Sequence, residues 1–386
     1  MNFLCICLAP AIDATVRLNA WPTDGCIIKN AADTFAPGGK AVNVARWLAV
    51  RRRETRRIRS RGVLAPECPD GVCSVACGGF LGEDNAAMFE KELKRYGIED
   101  RFVRVAGATR VNEMFVTPQG SFKVNRAASG GPVRTWEELA FRREGAPETF
   151  GARPRAPIAE VAAPETFGAR PRAPIAEVAA PETFGARPRA PEPDVVILSG
   201  SLPQDWPVDT YRSLVEAAKK AGAKVVLDAS GKALVEGVKA HPDVIKPNAD
   251  ECEALIGFVP KTPDDFKRAT AALKQFCDYP IISDGGAGCW FDGEFVAAPK
   301  VEVLDTTAAG DTLLAEWCWR RFGGLEGLGC LGAGRWAVAA GSAACTMPGG
   351  EPPPVELVSR LASRVSRLAS SPRPSTIFST SASPLA

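Results

Sequence analysis

Residues 303–314 read VLDTTAAGDTLL, and the order decides the fold class: an apolar run, a polar turn of small residues, then a helical pattern. Small side chains at Ala308, Ala309 and Gly310 let backbone N–H groups approach a phosphate closely, and a helix beginning near Asp311 adds its positive dipole end. A carboxylate beside such an anion hole is repulsive unless it has a task. Asp311 stands where it can accept a proton from an attacking hydroxyl, although these residues alone equally allow a plain helix cap.

A second stretch, PGGKAVNVARWL at 37–48, follows the same logic. Gly38 and Gly39 permit close backbone contact with a polar ligand, while Lys40 and Asn43 supply a cation and an amide at a helix start. It is not a Walker A loop, which needs a glycine where Thr34 stands and a hydroxyl residue where Ala41 stands. No GxGxxG follows a strand, so a nicotinamide dinucleotide is not expected.

Outward from these two stretches, strands and helices alternate. Residues 3–8, 74–80, 195–199, 224–228, 244–246 and 280–283 read as short buried strands. Residues 41–48, 85–96, 208–221, 249–255, 263–276 and 311–321 carry helical patterns. Such alternation predicts an α/β fold with a mainly parallel sheet, helices on both faces and ligands beyond the carboxyl ends of the strands.

Composition narrows the function classes. The 386 residues carry 47 Lys+Arg against 45 Asp+Glu, a balance that argues against a dedicated nucleic-acid or membrane-surface protein. No long uncharged apolar run predicts a membrane span, and the apolar start is read as a buried first strand rather than a signal peptide. The 12 cysteines contain no CxxC pair, so they are read as buried free thiols, which points to a reducing cytoplasm.

Three segments stand apart. A 17-residue unit, APETFGARPRAPIAEVA, recurs from Ala146, and its prolines make 146–192 an extended surface insertion. Residues 51–72 open with seven arginines in 51–61, read as the start of a solvated, mobile insertion with nucleic-acid binding unlikely. The tail, 360–386, is rich in Ser, Arg and Pro and is expected to fray beyond a terminal helix.

Together, in this order and at this separation, PGGKAVNVA and DTTAAGD resemble the two signatures of the ribokinase-like (PfkB) carbohydrate kinases. LAPAIDATV around Asp13, FLGEDN from Phe80, TRVN from Thr109, LSGSLP from Leu198, IKPNADE from Ile245, SDGGAG from Ser283 and AVAAGSAACTMPG from Ala337 fit the same family. The resemblance covers roughly 1–50, 74–140 and 193–355. It implies one kinase domain over 1–359, built as a ribokinase-like three-layer αβα sandwich, with a small β-lid from 14–36 and 103–125.

Within the family, the AID start, GGK with lysine, TRxN and KPN-ADE look most like the sugar-phosphate branch. A phosphorylated sugar needs cations, for which Lys29, Lys40 and Arg110 are the candidates, Arg110 as a bidentate grip on the phosphate. Each is otherwise a surface charge. The resemblance places Asp13 on the sugar hydroxyls, with Gly38, Gly39 and Asn43 beside it, and Lys246 facing the phosphates of ATP. Asn248 and Glu251 form the NxxE motif that orients Mg²⁺, with Glu251 reaching the metal through water or phosphate. Ser283, Gly285, Gly286 and Gly288 cover the nucleotide, and Gly310 joins Ala308, Ala309 and Asp311 at the transfer site.

The implied activity is ATP- and Mg²⁺-dependent phosphorylation of a ketohexose phosphate, fructose 1-phosphate before tagatose 6-phosphate or fructose 6-phosphate. A free-sugar or nucleoside kinase of the same fold and a binding protein that has lost turnover are the alternatives. Three departures from the family pattern are physical: Ala41 for glycine, alanines at 308 and 309 where a left-handed turn would be strained, and Asp284 beside the ATP phosphates. The lid predicts a homodimer through edge strands. His241 is expected in a loop, and Trp317 and Trp319 in packing.

Overall fold

Every position of the strand Asn2–Cys7 (β1) after the first is buried, which only a strand covered on both faces allows. In the computed structural model, which describes residues 1–23, 32–60, 73–127, 192–323 and 328–368, β1 lies inside a nine-stranded sheet. Period-2 alternation divides its side chains between two cores. Phe3, Cys5 and Cys7 enter one, Leu4, Ile6 and Leu8 the other.

Four lid strands, β2 (Ala11–Arg17), β3 (Ala32–Gly38), β6 (Val111–Thr117) and β7 (Gly120–Val124), form a separate sheet in the order β3-β2-β6-β7. The main sheet takes β4 (Ser74–Gly82), β5 (Glu99–Val105), β8 (Val195–Ser199), β9 (Lys224–Asp228), β10 (Val244–Ile245) and β11 (Tyr279–Asp284) as parallel partners of β1. The hairpin β12 (Gly288–Phe291) and β13 (Glu294–Ala297) adds an antiparallel edge. The strand order is β13-β12-β11-β10-β9-β8-β1-β4-β5.

Helices α1 (Lys40–Ser60), α2 (Ala86–Tyr96), α7 (Ala309–Phe322), α8 (Cys330–Ala344) and α9 (Val355–Leu368) bury their apolar faces in the first core. The second core lies under α3 (Thr210–Lys220), α4 (Gly231–Gly237), α5 (Glu251–Ile256) and α6 (Pro263–Leu273). Local chemistry sets several boundaries. A capping box between Thr262 and Asp265, with Pro263 at the first helical position, starts α6, and Gly97 in a left-handed conformation ends α2. The three-layer αβα sandwich and the β-lid agree with the sequence reading.

Four boundaries are corrected. The arginine run is not a mobile insertion from residue 51: α1 continues unbroken to Ser60, because arginine is a good helix former and no Gly or Pro intervenes. Arg51 is buried, Arg52 Nη2 donates to Gly97 O at 2.7 Å, and Arg53 donates to Arg95 O, so these cations meet the carbonyl end of α2. The lid's second segment begins at 111 rather than 103, since 103–105 belong to β5 and pair with β4 in the main sheet. Its first reaches back to Ala11 and on to Gly38. The domain does not stop at 359: Val358, Leu361, Ala362 and Val365 form one buried stripe at helical spacing on α9.

Lys29, residues 61–72 and the repeat through residue 191 lie outside the described residues. Ten cysteines are described, and most are buried. His241 sits at an exposed turn, while Trp317 and Trp319 pack in the core. Among the described residues no helix is long and apolar enough to cross a membrane.

Candidate active site

Two glycine-bearing turns meet beyond the carboxyl ends of the central strands. Gly39 has φ +110°, and a Cβ there would lie 2.7 Å from Cys7 Sγ, so only glycine lets the chain pass β1 and enter α1. Asn43, in the first turn of α1, donates from Nδ2 to Asp311 Oδ2 at 2.8 Å. Lys40 and Asp311, the residues of the two motifs, therefore lie near one another. Ala41 is an ordinary buried helical residue, so the missing glycine there produces no strain.

Asp311 is not the cap of α7. The cap position is Ala308, and Asp311 is the third helical residue, its carboxylate turned to Asn43. Asp228, at the carboxyl end of β9, is the buried counter-charge of the site. Its Oδ1 lies 3.3 Å from Lys40 Nζ and 3.2 Å from Lys246 Nζ, and its Oδ2 accepts from Ser199 Oγ at 3.0 Å. Burial alone would raise the Asp228 carboxyl, but Lys246 and Lys40 outweigh it and hold it below the ordinary range. Burial, which would lower the Lys246 ammonium, is outweighed by Asp228 and Asp311, which hold it above. Burial pushes Asp311 up to about 6, with Asp228 adding to the rise and Asn43, Lys40 and Lys246 opposing it. A cation pair thus lies beside a carboxylate poised near neutrality.

The amino end of α7 completes this centre. A Cβ on Gly310 would stand 3.7 Å from Lys246 Nζ, which places the lysine against the first-turn amides. Ala308 adopts φ +62°, ψ +4°, the left-handed region that glycine fills without strain, whereas Ala309 is helical. An alanine there costs about 1–2 kcal/mol, against about 0.5–1 kcal/mol of chain entropy that glycine would lose. Ala308→Gly is therefore expected to hold or raise Tm by a few degrees, and Ala308→Val to lower it clearly; thermal melts of the three proteins check this.

On the opposite wall, the lid's inner face presents Asp13, Thr15, Asn112 and Lys123. Asn112 Nδ2 donates to Asp13 Oδ1 at 3.2 Å, and a Cβ on Gly38 would overlap the Asp13 carboxylate. Burial raises the Asp13 carboxyl above the ordinary range, with Asn112 and Lys123 opposing. These residues and Asn125 face Thr307 and Gly349 across a narrow cleft. Arg110 does not reach it as expected. Its Nε, Nη1 and Nη2 donate to Pro10 O, Arg126 O and Ala9 O at 3.3, 2.6 and 3.0 Å, so peptide carbonyls hold the guanidinium fork that a phosphate would need.

The expected nucleotide residues lie at the carboxyl ends of β10 and β11. Asn248 Oδ1 accepts from Glu251 N at 2.7 Å and Glu251 Oε2 accepts from Asn248 N at 2.9 Å, a reciprocal pair that fixes the NxxE turn. Ala249 N donates to Ser283 O and Ser283 N to Pro247 O, stitching this turn to the one at 283–288. Gly285 and Gly288 both have positive φ, Gly285 and Gly286 are exposed at the rim, and burial raises the Asp284 carboxyl. Among the described residues no three acidic, His or Cys side chains cluster into a metal cage. One carboxylate beside a polyphosphate suits Mg²⁺, which keeps several waters and takes phosphate oxygens.

Comparison with known proteins fits this geometry. The profile described as pfkB family carbohydrate kinase matches residues 171–356. The 1-phosphofructokinase of Vibrio cholerae is 28% identical over 349 residues, 89% of each chain. That of Xanthomonas campestris is 29% identical over 328 residues, 82% of each. The chain is similar to the pfkB family of carbohydrate kinases. The fold of this kinase is also that of Escherichia coli phosphofructokinase-2 in complex with substrates and products, with TM-score 0.68, 19% identity, and 95% of this chain and 100% of that one covered. The family match and these relatives indicate a phosphotransferase with an alcohol group as acceptor.

Sequence reasoning missed Asp228, Asn112 and Lys123. The first carried a readable signal, a carboxylate ending the buried strand KVVLD on the ligand edge of a parallel sheet. The other two emerge only from the pairing of β6 with β2 and β7, which puts alternate lid residues on one face.

Proposed function

We propose that this kinase transfers the γ-phosphoryl group of ATP to a free hydroxyl of a ketohexose phosphate, with fructose 1-phosphate its preferred acceptor. The observation that carries the reading is the contact of Asn43 with Asp311 beside the contacts of Lys246 and Lys40 with buried Asp228. The relatives named 1-phosphofructokinase support the choice of substrate class.

The chain's residues divide the work. Asp13 and Asn112 orient the sugar hydroxyls, with Gly38 and Gly39 keeping the wall flat enough for contact. Asp311 takes the proton of the attacking hydroxyl, helped by a carboxyl shifted towards neutrality. Lys40 and Lys246, held by Asp228, face the nucleotide phosphates, and the backbone amides of Ala309 and Gly310, with Ala308 shaping the turn, steady the transferring group. Ser283, Gly285, Gly286 and Gly288 form the nucleotide rim. Mg²⁺, held by phosphate oxygens and reached by Glu251 through water, neutralises charge on ATP when bound.

Coupled ADP release with fructose 1-phosphate, tagatose 6-phosphate, fructose 6-phosphate and free fructose in parallel tests the reading. Turnover restricted to unphosphorylated sugars would reject it, and tight binding without ADP formation would mark a binding protein instead.

Self-association through the lid belongs to the same proposal. Its outer face exposes Phe35, Phe122 and Val124, with Phe122 stacked on Phe115 at 4.8 Å and tilted against Trp21 at 5.6 Å. Light scattering should give twice the chain mass, and Phe122→Glu should return it to the single-chain value; an unchanged mass for the variant would place any contact elsewhere.

A further inference from the structure

The sugar cleft has a charge pattern that the activity does not account for. Of the described residues lining it, Lys123 alone is a cation, while Asp13 and Glu113 are acidic. Glu113 is engaged with Arg126 Nη2 at 2.7 Å, and Asp13 with Asn112. Lys123 Nζ meets a neutral hydroxyl, Thr307 Oγ1, at 3.2 Å. A positive charge held at the mouth of a cleft by a hydroxyl, near enough to the Asp13 carboxyl to oppose its rise but in no ion pair of contact distance among the described residues, is arranged for an anion.

The placement follows from register. Thr15 pairs with Met114 and Met114 with Lys123, so these three form one row across the lid, neighbouring the row of Asp13 and Asn112. Lys123 therefore projects from the same face that orients the sugar hydroxyls, and it reaches Thr307, one residue before the strained turn that opens α7. Arg110, another cation of this region, has its fork on the carbonyls of Ala9, Pro10 and Arg126.

We infer that Lys123 is the residue that recognises the phosphate already present on the acceptor sugar, and that this contact ties the lid to the catalytic turn once substrate is bound. The inference rests on the sugar-phosphate reading of the site. Lys123 acts as a point charge from β7, while Thr307 Oγ1 remains close enough to share the same phosphate oxygen. A phosphorylated acceptor then closes the lid by bridging two elements that a free sugar leaves joined only by one lysine–hydroxyl contact.

Steady-state kinetics of the full chain test this with fructose 1-phosphate and ATP, using wild type, Lys123→Met, Lys123→Gln and Lys123→Arg. Loss of a charge-assisted contact is expected to raise KM for the sugar phosphate about 10- to 100-fold in the Met and Gln variants. KM for ATP and Tm should stay at the wild-type values, and the Arg variant should recover most of the affinity. Calorimetric titration of the sugar phosphate without ATP should show the same loss. A sugar-phosphate KM within about twofold of wild type in the Gln variant overturns the inference while leaving the parent reading intact. Wild type that uses free fructose and no sugar phosphate defeats the parent reading instead. Equal rises in both KM values, with a lowered Tm, would mean that Lys123 only holds the lid in place and would also overturn it.

Discussion

Asp311→Asn is expected to lower kcat about 100-fold or more while leaving the fold intact. Asparagine preserves the shape and the oxygen that accepts from Asn43, but it cannot take a proton. The pH dependence has a defined sign. Because the folded protein holds the Asp311 proton up to about pH 6, wild-type kcat/KM should fall on the acid side of that value as the base is protonated. Stability moves the other way. A carboxyl raised by folding contributes stability that is full below its unfolded value and is lost as pH rises through about 6. At pH 8 the wild type therefore carries a buried ionised group that the variant lacks, worth on the order of 3 kcal/mol. The melting temperature of Asp311→Asn should exceed that of wild type at pH 8, with the gap closing towards pH 4. Near-normal turnover would reject the proton-acceptor role.

Glu316→Ala is expected to cost about 3–5 kcal/mol of stability, the largest structural effect of any single change considered. Glu316 is fully buried on α7. Its Oε2 accepts from Trp47 Nε1 at 2.8 Å and lies 3.3 Å from Arg51 Nε, and its Oε1 accepts from Arg320 Nε at 2.8 Å. Removing it strands two guanidinium groups and an indole N–H in the core between α1 and α7. Glu316→Gln keeps the shape and part of the hydrogen bonding and should lose less. Urea unfolding at pH 7 measures both, and a loss under about 1 kcal/mol for the alanine variant would show that the arginines of α1 do not depend on this carboxylate.

That network also explains where reading the sequence failed. Seven arginines in eleven positions look like a solvated segment because like charges repel, and nothing in residues 51–61 reveals that Glu316, far along the chain, neutralises the first of them. The carbonyl end of α2, where Arg52 and Arg53 donate, is equally invisible before the helices are packed. What was legible obeyed local rules. The buried strands announced themselves by unbroken apolar runs, and the turns at Gly39 and Gly310 by small residues before a helical pattern. Arg110 was misjudged for a different reason. A guanidinium beside a lid can serve a ligand or the chain's own carbonyls, and only the loop geometry around Ala9, Pro10 and Arg126 chooses between them.

The bond between Asn43 and Asp311 joins positions 268 apart in sequence. Neither end can acquire its partner until the first and last thirds of the polypeptide have docked together in the first core. Long-range closure of this kind is slow and comes after local helices have formed. During synthesis the ribosome releases an inert chain until α7 has emerged, and in refolding from urea the recovery of ADP production should trail the return of far-ultraviolet ellipticity. Partly assembled chains would then be compact, helical and silent.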